Sequence, residues 1–232
     1  LYYRQYDSET GKFGIPIKVS SSAFSMQTFS IARASLAVTD DGRVHVMWYC
    51  PKSSEMIYTR SNLQRTVFEE QRSMVANYQE GIDAGGDIAA SGAKVAIVWG
   101  AGDLTAEHER TIFVRSSYDS GENFSEEISI SNPDLGACAC CSLAADYLAD
   151  DDLVVAYRSA IDGIGRHMQL LTIENKNNQI SNASYGSMHD EQKWEASFCP
   201  LSTNDISGDN DTDFAEMLDQ LRSQIKTTVS QL

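Results

Sequence analysis

The stretch GACACCSLAADYLADDDLVVAYRSA, residues 136–160, places three of the chain's five cysteines within four positions and then changes character twice. After Cys141 comes a run of small residues, Ser142 to Ala145. After the acidic turn Asp150–Asp152 comes an alternating run, Leu153 to Tyr157, rich in β-branched residues and ending in an aromatic. Two strand-like runs around a polar turn read as a hairpin. The same plan occurs twice upstream, as SLAVTDDGRVHVMWYC from Ser35 and DIAASGAKVAIVWGAG from Asp87. Ala37, Ala89 and Ala144 line up at separations of 52 and 55, and Trp48, Trp99 and Tyr157 line up with them.

Each hairpin is followed by a third strand: MIYTRS from Met56, TIFVRSS from Thr111 and MQLLTIE from Met168. A polar turn and a fourth apolar stretch come next. In the second full unit that turn is SYDSGENF, with Ser117, Asp119, Gly121 and Phe124 at fixed offsets. The carboxylate can accept backbone N–H groups, glycine can take a positive φ, and the aromatic can plug the base of the next strand. Degenerate copies stand at Ser61–Phe68 and at Asp7–Phe13. Four strands repeating at about 50 residues is the pattern of a propeller blade, so the expected fold is all-β and antiparallel. A tandem immunoglobulin-like sandwich is the competing architecture, but its unit of about 100 residues is twice the repeat seen here.

Composition narrows the partners. Eighteen Lys and Arg against 33 Asp and Glu give a net charge of −15 over 232 residues. A field of that sign repels nucleic acid and anionic membrane, and no run approaches the length of a membrane-spanning helix. The chain opens inside a strand-like run, LYYRQYD, without an initiator methionine, as a processed or truncated chain does. His45, His108, His167 and His189 are scattered, with no metal-ligand spacing.

SYDSGENF resembles the Asp-box of sialidase-like (BNR-repeat) propellers. The cysteines 138–141, the Tyr157–Arg158 pair and WEASFCP, running from Trp194 to Pro200, together resemble an exo-α-sialidase-like bacterial branch of that superfamily. The resemblance covers residues 1 to about 205. It implies a partial propeller of three to four blades with parts at 1–22, 35–78, 86–131 and 142–186, and the opening of the next at 199–207. Residues 208–232 then form an acidic linker and a short amphipathic helix. Phe214, Met217, Leu218, Leu221 and Ile225 carry its helical spacing, Asp213 its N-cap and Glu216 its capping-box partner. DNDTDF, residues 209–214, is similar to a calcium loop but lacks the glycine at its sixth position, which leaves Ca2+ a secondary cofactor candidate.

Sialidases imply an arginine triad for the substrate carboxylate, an Asp acid/base and a Tyr nucleophile with its Glu, together with an early Phe-Arg-Ile-Pro motif that this sequence lacks. Arg158 and Arg166, with Asp162 between them, are the catalytic candidates. Arg158 and Tyr157 alternate out of phase on one strand, and pairing with a neighbouring blade's carboxylate is the expected role of Arg158. The expectation is an exported, periplasmic or extracellular propeller acting as a non-catalytic binding or structural subunit. Its open blade faces would be covered by another subunit, a second copy or the C-terminal helix, with a glycan as a possible ligand. The alternatives are a sialidase-like glycoside hydrolase fragment and a thiolate metal-binding protein. If the blades align as supposed, Cys138, Cys140, Cys141 and Cys199 meet at one end of the channel. A disulfide from Cys199 to Cys140 or Cys141 is expected there, with copper or zinc held by three or four thiolates as the alternative. Cys50 is expected to be a lone buried thiol.

Overall fold

The computed structural model describes residues 1–24, 26, 33–78, 80–82, 85–149, 151–176, 179–187, 194–198 and 205–206. Its sixteen strands form three four-stranded antiparallel sheets preceded by a broken hairpin. In that hairpin β1 (Tyr2–Tyr3) pairs with β4 (Ile17–Lys18), and β2 (Tyr6–Asp7) with β3 (Lys12–Phe13). The first full sheet runs β5 (Ser35–Val38), β6 (Val44–Cys50), β7 (Glu55–Arg60), β8 (Arg72–Ser73). The second runs β9 (Asp87–Ser91), β10 (Lys94–Ala101), β11 (Thr111–Ser117), β12 (Ile128–Ser129), and the third β13 (Ala144–Tyr147), β14 (Leu153–Arg158), β15 (Met168–Lys176), β16 (Gln179–Ser187). Every sheet is a simple meander in sequence order, and β9 lies against both β5 and β13. The first strands therefore converge, as they do around a propeller axis. The helix expected over 208–232, its calcium-like run and Cys199 lie outside the described residues.

The second strand of each sheet is buried on both faces, which is why its residues are mostly apolar, with His45 the buried polar exception in β6. Val44, Val46 and Trp48 pack toward the N-terminal hairpin with Val19 and Phe68. Val95, Ile97 and Trp99 pack toward the first sheet with Met47, Met56 and Tyr58. Leu153, Val155 and Tyr157 pack toward the second sheet with Ala96, Val98, Ile112 and Val114. Alternate residues of one strand thus feed two successive cores. Trp48, Trp99 and Tyr157 are fully buried, and both indoles donate to a carbonyl of a preceding loop, Phe24 at 3.3 Å and Tyr78 at 3.4 Å. Losing such a side chain to alanine removes about 3–5 kcal/mol.

The ladders correct one alignment. Ala37 and Ala89 stand opposite His45 and Ala96, each three residues before its tryptophan. The residue three before Tyr157 is Val154, and it stands opposite Asp146 rather than Ala144. Small residues run through Ala144–Ala145 without marking a register, and register follows from where the turn closes the ladder.

The Ser117–Phe124 turn joins β11 to β12. Ser117 Oγ donates to Asp119 Oδ1 at 2.8 Å and accepts from Gly121 N at 2.9 Å, while Asp119 accepts from Asn123 N and Nδ2, both at 2.9 Å. Gly121 has φ +78°, and a Cβ there would fall 1.9 Å from the Tyr58 hydroxyl. Phe124 stands edge-on to Tyr58 at 5.0 Å. Arg60 and Arg72 of the first sheet reach across to the carbonyls of Ser120, Gly121 and Glu122, so the turn locks two sheets together.

Beneath it lies a buried chain of polar groups. Thr39 Oγ1 donates to Asp41 Oδ1 at 2.7 Å, and so receives the His45 Nε2 proton at 2.9 Å. His45 Nδ1 then accepts from the Tyr58 hydroxyl at 2.7 Å. Burial lowers the imidazole's pKa from 6.5 to about 4, against the raising effect of Asp41. The ring is neutral in the fold, whereas in the unfolded chain it takes up a proton below 6.5. Unfolding stability is therefore expected to fall by about 3 kcal/mol as pH drops from 6.5 through 4. Urea unfolding across that range should show the slope, and His45→Gln should flatten it; an unchanged slope in the variant would refute the assignment.

Candidate functional site

A meander of four strands puts its first and third turns at one end and its second turn, with the connection to the next sheet, at the other. The Ser117–Phe124 turn therefore sits at the end opposite to the connections 102–110, 130–143 and 159–167. Those three connections carry Glu107 and Arg110; Cys138, Cys140 and Cys141; and Asp162 and Arg166, with Arg158 at the end of β14. Topology thus gathers most of the sequence candidates at one rim.

The cysteine loop is set by local chemistry. Asn132 caps the 3-10 turn Pro133–Leu135, and Gly136 follows at φ +57°, where a Cβ would lie 2.6 Å from His108 Cα. Backbone hydrogen bonds then stitch the loop to three neighbours. Ala137 N donates to Glu107 O at 3.0 Å, Cys138 N to Arg158 O at 2.8 Å, and Leu143 N to Gly85 O at 2.7 Å. Ala139 N donates to the Glu107 carboxylate at 2.7 Å.

Three sulfurs converge there. Cys138 Sγ is 3.4 Å from both Cys140 Sγ and Cys141 Sγ, and all three lie within 4.8 Å of one another. Such a set could hold a metal ion. Cys138 and Cys141 are buried and, like Cys50, carry no disulfide. Cys140 is half-buried beside them. Cys199, the fourth expected member, is outside the described residues. The hydrogen bond to Cys141, together with burial, pushes the Cys138 thiol well above its ordinary range. A small cavity of about 10 Å3 opens beside the pair, lined by Cys138, Cys141, Arg110, Gly85, Gly100 and Leu143.

The arginines are engaged by the fold. Arg166, 4% exposed, donates from Nη2 to the Glu107 carboxylate at 2.6 Å and to the Gly163 carbonyl at 3.0 Å. Arg158 donates to the Arg166 carbonyl at 2.7 Å and lies 4.9 Å over the Trp194 ring. Trp194 is fixed in turn, its N–H donating to His167 Nδ1 at 2.9 Å and its carbonyl accepting from Arg166 N at 2.8 Å. Asp162 is exposed at the tip of the turn closed by the Ile161–Gly165 bridge, with φ +50°, and makes no ion pair among the described residues. Arg110 binds the carbonyls of Gly81 and Gly102.

Sequence reasoning missed Glu107, the residue that joins the cysteine loop to Arg166. It stands in the short 3-10 turn Glu107–Glu109, in a stretch with no periodicity to single it out. His45 was likewise passed over, because a lone histidine in a strand carries no spacing signal.

No protein-family profile and no curated protein sequence matches the chain. Solved structures do. A polysaccharide lyase of family PL25, an ulvan lyase, superposes with TM-score 0.54 at 13% identity, over 84% of this chain and 53% of that one. An α-L-arabinanase of Penicillium chrysogenum, solved with arabinobiose, gives TM-score 0.50 at 10% identity, over 81% and 59%. The fold is that of a partial β-propeller. The NanB sialidase of Streptococcus pneumoniae is also similar, at 16% identity over 66% of this chain and 22% of that one, but its TM-score of 0.44 takes the comparison no further. This chain spans only 53% and 59% of the length of the first two structures, and identities this low establish architecture alone. No helix among the described residues is long and apolar enough to cross a membrane.

Glu107 holds this rim together, so Glu107→Ala leaves the buried Arg166 charge uncompensated and the Ala139 N–H unpaired. The expected loss is about 3–5 kcal/mol of unfolding free energy, measured by chemical denaturation. A loss below about 1 kcal/mol would mean that the ion pair is exposed to solvent.

Proposed function

We propose that the chain is a sialidase-like propeller module with a non-catalytic binding or structural role in a periplasmic or extracellular assembly. The observation that carries this reading is the state of the rim arginines. A substrate carboxylate needs guanidinium groups whose N–H fork faces open space. Arg166 instead spends its charge on Glu107, and Arg158 lies on Trp194 with a hydrogen bond to its own connection. Two aromatic residues four positions apart, Trp194 and Phe198, are 40% and 64% accessible. An aromatic surface of that kind suits a glycan or a partner loop better than a buried reaction centre. The expected result with a fluorogenic sialoside is no turnover above background. Turnover abolished by Arg158→Ala would favour instead a sialidase-like glycoside hydrolase of which this chain is part.

A partner is part of the proposal. Leu36 and Val38 on β5 are 60% and 48% exposed, and Tyr2, Tyr6, Phe13 and Ile15 of the N-terminal hairpin are all more than half exposed. Among the described residues the N-terminal hairpin forms two two-stranded ladders and not a four-stranded sheet. Apolar surface of this extent suits another subunit or a second copy of the chain. Sedimentation should show self-association or, in native extracts, a heavier complex; a stable monomer under both conditions would refute the partner.

A second reading draws on the sulfur cluster. Cys50, Cys138 and Cys141 are free thiols, and the crosslink proposed is therefore Cys199 to Cys140, a tie between successive blades in an oxidising compartment. The remaining thiols, with or without Cys140, favour a thiolate metal site for copper or zinc.

A further inference from the structure

We propose that β16 (Gln179–Ser187) is the pairing edge of a homodimer. It adds, antiparallel, to the same strand of a second copy of the chain and joins two four-stranded sheets into one of eight. The inference goes beyond the binding role above and uses a different surface from the apolar side of β5.

The edge is unusually long. In each full sheet the fourth strand is the outer one, since the first strands β5, β9 and β13 lie against one another. In the first two sheets that outer strand, β8 or β12, has only two residues. β16 has nine. It follows β15 in continuous register from Gln169↔Ser187 to Ile173↔Ala183 and, after one shift, resumes at Asn175↔Ile180. Among the described residues it is the last strand of its sheet, with no ladder on its outer side. A strand paired on one side only presents a row of N–H and C=O groups, which is a template for another strand.

The edge is also unguarded. Folded proteins blunt their sheet edges with charged residues, prolines or short strands. The two short outer strands follow that rule: Glu69, Glu70 and Arg72 accompany β8, and Glu126 and Glu127 precede β12. The nine residues of β16, QISNASYGS, include no Asp, Glu, Lys, Arg, His or Pro.

Charge selects the occupant. The chain carries a net −15, so two copies repel wherever their acidic surfaces meet. A neutral strand at the outer edge lets a second copy approach without setting like charge against like charge. A basic partner has nothing to gain there, because its attraction is to the acidic surface elsewhere. Strand addition needs only main-chain groups, and an antiparallel strand meeting its own copy does so across a two-fold axis. Such a contact is isologous and closes at two chains.

One strand from each copy makes a contact at the low end of interface sizes, so sedimentation of the full chain over a concentration series is expected to show a monomer–dimer equilibrium. Ser184 stands opposite Thr172, between the core positions Leu171 and Ile173. Ser184→Lys and Ser184→Glu are each expected to weaken the dimer at least about tenfold, because like charges then meet across the two-fold axis. An equal mixture of the two variants should regain it. Hydrogen exchange over residues 179–187 should slow as wild-type concentration rises. Thermal melts establish that each variant folds; for one that does not, the exchange measurement on wild type decides. A monomer at every concentration overturns the homodimer, while a heavier complex in native extracts would still support the partner proposed above. A dimer untouched by both variants and dissociated by Leu36→Glu assigns self-association to the β5 side and overturns the β16 edge. Slow exchange at 179–187 that is independent of concentration means that the chain covers this edge itself, which overturns the proposal as well.

Discussion

Each of the three full sheets owes its place to a second strand buried on both faces. β6, β10 and β14 send alternate residues into the core behind and the core ahead, so no sheet can be removed without exposing two apolar surfaces. The pleat makes this possible: successive side chains point to opposite faces, and a strand of six to eight residues supplies three or four to each. Trp48, Trp99 and Tyr157 all point backward, toward the preceding sheet. The stack therefore has a direction, and each blade's largest side chain is accommodated by smaller residues of its predecessor. At the second interface those residues include Met47 and Met56, unbranched chains that fit around an indole.

Polar chemistry is divided between the two ends of that stack. At one end the turns between third and fourth strands are held by short side chains accepting backbone N–H groups: Asp7 in the first hairpin, Asn62 in the next turn, and Ser117 with Asp119 in the third. These contacts are local in sequence and rigidify what they touch. At the other end the connections are longer and are held by contacts distant in sequence, with Glu107 reaching the backbone of Ala139 and the guanidinium of Arg166. Binding sites in folds of this kind belong where long connections converge, since short turns leave no room for variation. The sulfur group is therefore on the end of the molecule able to accommodate a ligand.

The same arrangement explains why rim arginines are poor guides to activity. A guanidinium on a connection has carbonyls on every side, and burial favours pairing each N–H with one of them. Arg158, Arg110 and Arg166 all donate to backbone carbonyls, and Arg166 adds an acidic partner. Their residue type suggests anion binding, but their geometry shows them bracing loops.

The sequence by itself determined the repeat, the antiparallel four-stranded units and the turn at Ser117–Phe124. All of these rest on periodicity and on residues close together along the chain. Period-two alternation identifies a strand, and a Ser, Asp, Gly and Phe at fixed offsets identify a turn, without knowledge of anything distant. The sequence also marked Cys138, Cys140 and Cys141 as unusual, since three thiols in four positions are rarely a packing solution. What it could not provide was register, where Asp146 rather than Ala144 takes the aligned place, because alanines fit either face. Nor could it pair Glu107 with Arg166, bring Arg110 to the thiols, or enclose His45 between Thr39 and Tyr58. Those contacts join residues whose separations are set by loop lengths and by how one blade stacks on the next. Only the tertiary structure decides which side chains share a buried, low-dielectric space, and that sharing determines which charge is neutralised and which thiol remains available.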